Sequence, residues 1–172
     1  MQGILAQIIG FIATILIIIS LQVKSKKALY LLINGSAALI FSISFILLEA
    51  YSASFINMIG VILAFTMYFH DKKSIPVHKL TIAFFVIATV TGTVFTYTNI
   101  YSLIPLLGGL LYILIVTSKN MKNVRLCTVA QATTWITYDI IIGAYTLALA
   151  PIFALTSSIV GIIRHDISKS KN

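Results

Sequence analysis

Long apolar runs, separated by short polar stretches, follow one another along almost the whole chain. These runs do not alternate apolar and polar positions, as the strands of a lipid-facing barrel would. A helix needs roughly 20 mostly apolar residues to cross a bilayer, and runs of about this length recur. The pattern therefore predicts an all-α membrane protein with seven transmembrane helices. The predicted spans are residues 3–22, 28–48, 52–70, 79–97, 101–117, 124–143 and 147–164.

The composition agrees with this pattern. Hydrophobic residues make up 59% of the chain, charged residues 9%, and the mean hydropathy is +1.05. A soluble domain carries about a quarter charged residues, and a disordered chain is polar, so both classes are excluded. Cys127 is the single cysteine, so an internal disulfide is excluded as well.

The positions of the basic residues predict how often the chain crosses the membrane. Several threonines lower the hydropathy of the span 79–97, so its own residues do not decide whether it crosses the membrane. With seven crossings and the N-terminus outside, all twelve bases fall on the cytoplasmic side, as the positive-inside rule requires. Without this span, the bases from Lys119 onward would lie outside. The prediction is a multi-pass protein with the N-terminus outside and the C-terminus in the cytoplasm (N-out/C-in). This topology explains the net charge of +8 without nucleic-acid binding.

Short motifs recur in the same order in the two halves of the chain. Ala-Tyr-Ser at 50–52 and Ala-Tyr-Thr at 144–146 each open a segment that ends in His-Asp, at 70–71 and 165–166. We therefore predict two parallel triple-helix repeats in a 3+1+3 arrangement. Parallel repeats are typical of transporters, which bind substrate between the copies, although duplicated units also occur in inert scaffolds. The predicted divisions are triple-helix unit 1 at 1–70, a linker helix at 71–100 and triple-helix unit 2 at 101–172.

A few polar residues lie inside the predicted spans and form the candidate site. Asp139 is the one acid clearly within a span, and ionisable groups there usually serve function. Gln131, Trp135 and Asp139 recur every four residues, so they share one helix face. We expect Asn57, Gln131, Trp135 and Asp139 to line a central polar cavity, with Tyr138 at its edge. Alternatively, the amides join neighbouring helices, and Asp139, about 6 Å from the outer end of its span, extends outward to water.

Enzymatic, metal and cofactor sites are not predicted. No histidine lies mid-span, and the sequence offers neither a Gly-x-Ser-x-Gly motif nor paired carboxylates. His70, His78 and His165 fall at cytoplasmic helix ends without metal-ligand spacing. The seventh span has no interior lysine to form a Schiff base with retinal.

Several short motifs carry a resemblance to a known family. They are Gln7 to Gly10, residues 20–27 and 47–51, Asn57, Trp135, Tyr138 and residues 159–166. In these the chain resembles the YgjV-type bacterial inner-membrane proteins, which are placed in the SWEET/PQ-loop (MtN3-like) superfamily of small-solute carriers. The resemblance implies location in a bacterial inner membrane and alternating access by rocking of one triple-helix unit against the other. The proline-glutamine pair of the PQ-loop proteins is absent, and Pro151 stands where a second asparagine would pair with Asn57, so a sugar substrate is not predicted.

Two functions of different classes remain. The first is a small-solute carrier of unknown substrate, and the second is a non-transporting membrane scaffold that binds lipid or a protein partner. Membrane lipids are expected partners of either, and the sequence does not predict an oligomeric state. A polar, solvent-connected cavity that contains Asp139 and Asn57 favours the carrier, whereas a dry, tightly packed centre favours the scaffold.

Overall fold

The computed structural model describes residues 2–22, 27–118 and 120–164 of the chain. These residues form seven α-helices and a short 3-10 helix, and no strand occurs among them. The helices are α1 (Gln2–Gln22), α2 (Lys27–Leu47), α3 (Tyr51–Lys72), α4 (Lys79–Phe95), α5 (Leu103–Thr117), α6 (Met121–Ile141) and α7 (Tyr145–Ile162), and the 3-10 helix Ile100–Ser102 precedes α5. The all-α prediction is confirmed, and each predicted span corresponds to one helix.

Five of the described helices are long and apolar enough to cross a membrane: α1, α2, α3, α5 with its preceding 3-10 turn, and α7. Helix α4 is apolar but has only 17 residues. Helix α6 has 21 residues, but its polar content lowers its hydropathy. It begins at Met121, before the predicted span, because the Asn120 side chain accepts a hydrogen bond from the Lys122 N–H at 3.0 Å and caps the helix.

The helices pack as a ring. Helix α2 lies between α1 and α3, and α6 lies between α5 and α7. Contacts of α1 with α7 and of α3 with α5 join the two sets, while α4 packs against α3 and α5. Gly92 lets α4 approach α3 closely, because a Cβ at this position would collide with the Phe55 ring. The ring surrounds a central space.

The turns from α2 to α3 and from α6 to α7 have the same geometry. In each, a residue with positive φ, +58° at Glu49 and +72° at Gly143, precedes an alanine whose N–H bonds five residues back. This is a Schellman-type end, which satisfies carbonyls at the helix C-terminus. The bonds join Ala50 N–H to Phe45 O at 2.9 Å and Ala144 N–H to Asp139 O at 2.7 Å.

The two ends of the bundle differ in charge. Six of the described bases lie at one end of the bundle, which we call the basic end: Lys72, Lys73, Lys79, Lys122, Arg125 and Arg164. We call the other the turn end, because it holds the two turns just described. Several residues used in the topology and repeat predictions lie outside the described residues: Lys24, Lys26, Lys119, His165, Asp166, Lys169 and Lys171. The membrane orientation stays a prediction.

Candidate functional site

A cavity of about 1070 Å³ runs through the centre of the helix ring. All seven helices contribute side chains to its wall. At the basic end it is lined by the α3–α4 and α5–α6 connections, including Pro76 and Ser118. Toward the turn end its last lining residues are Phe45, Asp139 and Leu147, which we call the floor. The cavity therefore opens at the basic end, and its volume suits a small molecule.

Helices α2 and α6 line the cavity with matching positions. Each lining residue of α2 has a counterpart on α6 at a constant distance along the chain, and the same distance separates Ala50 from Ala144 in the two turns. The pairs are Tyr30 and Val124, Leu31 and Arg125, Asn34 and Thr128, Ala38 and Ala132, Phe41 and Trp135, and Phe45 and Asp139. The two helices thus present the same face to the cavity, with different side chains on it.

Asp139 forms part of the floor, and its side chain faces the bundle interior. Its residue surface is 2% exposed, so the alternative in which it extends outward to water does not match the structure. Its backbone oxygen accepts the Ala144 N–H in the Schellman-type turn, which fixes the end of α6. Its Oδ1 is fully buried and accepts no hydrogen bond from any described residue. The floor therefore contains a carboxyl group with unused acceptor capacity.

Three aromatic rings pack against one another at the floor end of the cavity. Phe45 and Trp135 stack with centroids 5.8 Å apart, and Tyr138 lies 6.2 Å from Phe45 and 6.1 Å from Trp135. Phe45 and Trp135 line the cavity, whereas Tyr138 packs behind them in an apolar cluster that includes Leu147. Tyr138 thus supports the floor from behind rather than lining it.

Trp135 and Gln131 both lie against Gly108 of α5. A Cβ at Gly108 would stand 2.8 Å from the indole Nε1 of Trp135, so a glycine is needed for this ring position. Gln131 lines the cavity, and its Nε2 donates to the Gly108 carbonyl at 3.3 Å. The structure thus brings both predicted residues into the cavity wall, but part of the Gln131 amide serves helix packing.

Asn57 lines the cavity from α3. Its Nδ2 donates to the Ala53 carbonyl of its own helix at 2.9 Å. Closer to the basic end, the Tyr112 hydroxyl donates to Asn34 Oδ1 at 3.0 Å, which joins α5 to α2 at the cavity wall. Tyr112 was not among the predicted site residues, although it stands one helical turn after Gly108 on the face of α5 that packs inward.

Phe45 is a second residue of the site that was not predicted from the sequence. The recurrence of Ala-Tyr at 50–51 and 144–145 could have revealed it, because the same spacing pairs Phe45 with Asp139. Phe45 also stands one helical turn after Phe41 on the same helix, but two phenylalanines in an apolar helix are not by themselves a signal of a site.

The turn end is held closed by polar contacts between α1 and α7. Gln7 Nε2 donates to the Gly143 carbonyl at 2.8 Å, and its Oε1 accepts the Thr146 N–H at 2.9 Å. The Thr146 hydroxyl donates to the Gln7 carbonyl at 2.9 Å and also contacts Gln7 Oε1. Thr14 adds a bond from its hydroxyl to the Thr146 carbonyl at 3.2 Å. We call this set of contacts the Gln7 seal.

The comparison with known proteins assigns the family. The family model Imp-YgjV, described as bacterial inner membrane protein, matches residues 4–169. The chain belongs to the Imp-YgjV family. It is therefore an integral membrane protein of an inner-membrane family, in agreement with its several apolar helices. No curated protein and no solved structure matches the chain.

In this Imp-YgjV chain the cavity is polar at its mouth and largely aromatic and aliphatic at its floor. His70, Asp71 and Arg125 line it near the basic end, and Asp139 lines the floor. No group of three or more His, Cys, Asp or Glu side chains within the described ranges is arranged to hold a metal ion. The arrangement suits binding of a small molecule through the carboxyl group of Asp139, the amides of Asn57 and Gln131 and the aromatic ring faces.

Proposed function

We propose that the protein is a small-solute carrier whose central cavity opens alternately at the two ends of the bundle. The observation that carries this proposal is the cavity of about 1070 Å³, open at the basic end and closed by a floor that contains the buried carboxyl of Asp139. A membrane bundle needs no such space for stability, because close packing is what holds transmembrane helices together. The proposal requires no catalytic residue and no cofactor.

The proposal includes two triple-helix units, residues 1–70 and 101–172, joined by the linker of residues 71–100 that contains α4. Support comes from the matching turns that precede α3 and α7 and from the paired lining positions of α2 and α6. The contacts between units also correspond, since α1 meets α7 as α5 meets α3. In transporters built from parallel repeats, the substrate path lies between the copies. The same arrangement underlies the resemblance to the SWEET and PQ-loop carriers.

The contacts between the units suit a rocking movement. At each junction a glycine of one helix lies beneath an aliphatic side chain of the other unit: Gly10 beneath Leu147, and Gly109 beneath Ile56. Such smooth surfaces let two helices change their crossing angle without separating. Opening the turn end would break the Gln7 seal, and closing the basic end would bring α3 and α7 together there.

The orientation we propose follows from the basic residues. The basic end lies in the cytoplasm by the positive-inside rule, so the N-terminus lies outside and the C-terminus inside. All seven helices then cross the membrane, including the short α4 and the polar α6. The polar face of α6 that holds Gln131, Trp135 and Asp139 borders the central cavity and not the lipid. A helix of low hydropathy can therefore span the bilayer at this place. In this orientation the structure represents an inward-open state.

One set of contacts favours the second candidate, a non-transporting scaffold. The amides of Gln131 and Asn57 donate to backbone carbonyls, and Asn34 bonds Tyr112, as in ordinary helix packing. A scaffold gives no role to the size of the cavity or to Asp139 Oδ1, which is buried without a hydrogen-bond partner among the described residues. The carrier is therefore the better supported function.

The test is a metabolite-uptake screen with purified protein in lipid vesicles. Wild-type vesicles are incubated with a mixed metabolite pool, and their contents are identified by mass spectrometry against protein-free vesicles. We expect at least one solute to accumulate, with uptake reduced about ten-fold in Trp135→Ala and reduced in Asn57→Ala. Thr133→Ala is the matched control, because its exposed hydroxyl bonds only the Val129 carbonyl of its own helix. Contents that equal those of protein-free vesicles for every solute would favour the scaffold.

A further inference from the structure

We propose that the floor binds the ammonium group of a small organic amine, with Asp139 as the counter-ion and the aromatic rings around the apolar body. This inference rests on the proposed carrier function and names the class of its substrate. Asp139 lines the cavity, and its Oδ1 is buried and accepts no hydrogen bond from the described residues.

A buried carboxylate is stable only if a partner supplies hydrogen-bond donors or positive charge. The nearby polar groups do not do so: Gln131 Nε2 donates to the Gly108 carbonyl and Asn57 Nδ2 to the Ala53 carbonyl. An ammonium group supplies both requirements at once, since it carries a positive charge and up to three N–H donors. The carboxylate can then form a charge-assisted hydrogen bond with a ligand that enters from the cavity.

Within the part of the chain that the structure describes, no cationic side chain lines the floor beside Asp139. Arg125 lines the cavity on the same helix, but the helical rise places the two Cα atoms about 21 Å apart. His70 lines the cavity only at the basic end, and no lysine lines it among the described residues. Asp71, the other acid of the wall, also lies at that end. Among the described residues, Asp139 is therefore the one carboxyl group at the floor, which suits an amine with a single ammonium group.

The rings beside Asp139 add to the selection for a cation. An ammonium group is attracted to the face of an aromatic ring within about 6 Å, most strongly for tryptophan. Trp135 precedes Asp139 by one helical turn, and Phe45 stacks against Trp135. Ile56 and Leu147 line the same region and offer aliphatic surface to the rest of the molecule. A polyhydroxylated solute would leave most of its hydroxyl groups unpaired against this floor.

The matching of α2 and α6 gives the amine a single orientation. Phe45 occupies on α2 the position that Asp139 occupies on α6, so one side of the floor is a ring and the other a carboxyl group. The ammonium group is expected on the α6 side and the apolar body on the α2 side. An anionic group at this place would meet the Asp139 carboxyl group and none of the described basic side chains.

The test is a binding measurement with the full chain in nanodiscs. Trp135 is the only tryptophan, so its fluorescence reports directly on the floor. The probes are cyclohexylmethylamine, cyclohexylmethanol and cyclohexanecarboxylate, which have similar shape but differ in charge. We expect saturable binding of the amine, with a dissociation constant about ten-fold or more below those of the alcohol and the acid.

Two variants distinguish binding of the amine to the Asp139 carboxyl group from nonspecific binding in the cavity. Asp139→Asn is expected to weaken amine binding about ten-fold. The matched control is Glu49→Gln, which removes an exposed carboxyl from the turn before α3 and is expected to leave binding unchanged. Equal binding of alcohol and amine, no saturable amine binding, or unchanged amine binding in Asp139→Asn would each overturn the proposal. The three probes on the wild type decide the matter even if Asp139→Asn does not fold.

The failure of this inference can be told from the failure of the carrier proposal. Selective amine binding without uptake of any solute into vesicles supports the amine site and overturns the carrier. Uptake of a neutral or anionic solute that Trp135→Ala reduces and Asp139→Asn does not supports the carrier and overturns the amine site.

Discussion

At the scale of single residues, Gly108 decides where the indole ring of Trp135 lies. Any side chain at this position would meet the indole, since even a Cβ would stand 2.8 Å from Nε1. The ring is thereby held against α5 and beside Phe45, where it forms one side of the floor. Asp139 reaches the same floor because the Schellman-type turn at Ala144 fixes the last turn of α6.

We predict that Gly108→Ala displaces the Trp135 ring. The added methyl group overpacks the contact, and we expect a loss of about 1–3 kcal/mol in the free energy of unfolding. The measurements are unfolding by SDS in mixed micelles and the emission maximum of Trp135. The control is Gly3→Ala, because a Cβ at Gly3 would have no neighbour within 4 Å. Equal stability and equal emission in Gly108→Ala and wild type would contradict the contact.

At the scale of the helices, the two ends of the bundle are closed to different extents. The Gln7 seal joins α1 to α7 at the turn end, while the cavity reaches the α3–α4 and α5–α6 connections at the basic end. A carrier in one of its two states should show this asymmetry. The Gln7 seal is then the set of contacts that must break for the other state to form.

We predict that Gln7→Ala weakens the seal. The change removes the bonds of the Gln7 side chain to Gly143 and Thr146, and at about 1 kcal/mol for each hydrogen bond it should lower the free energy of unfolding by about 1–3 kcal/mol. Unfolding in mixed micelles measures this loss. Thr128→Ala serves as a control, since the Thr128 hydroxyl bonds only the Val124 carbonyl of its own helix. A Gln7→Ala protein as stable as this control would contradict the role of the seal.

At the scale of the whole molecule, the apolar runs and the helix breakers were enough to predict the all-α class and a helix for each span. Each of these features is local: a run of about 20 residues or a proline such as Pro76 shows itself in the sequence. Asp139 could be selected too, because an acid inside a span is costly and conspicuous. The direction of the Asp139 side chain could not be predicted, because the position of a residue along a helix does not show whether its side chain points inward or outward.

Other parts of the site depend on residues far apart in the chain. Gln7 bonds Gly143 across 136 residues, and Tyr112 bonds Asn34 across 78. Neither pair shares a motif, so only the packing of the helices brings them together. The same holds for Tyr138, whose place behind the floor follows from how α2 and α6 pack.

The central claim, that the cavity opens at both ends in turn, is tested most directly by the accessibility of Ala150, a buried residue of the cavity wall near the floor. Ala150→Cys is made in a chain with Cys127→Ser, and a membrane-impermeant maleimide is applied to either face of the membrane. Ala148→Cys, buried but outside the cavity wall, is the control expected to stay unlabelled. We predict that Cys at position 150 is labelled from both faces. Labelling from the basic-end face alone, even after long exposure of the other face, would contradict alternating access.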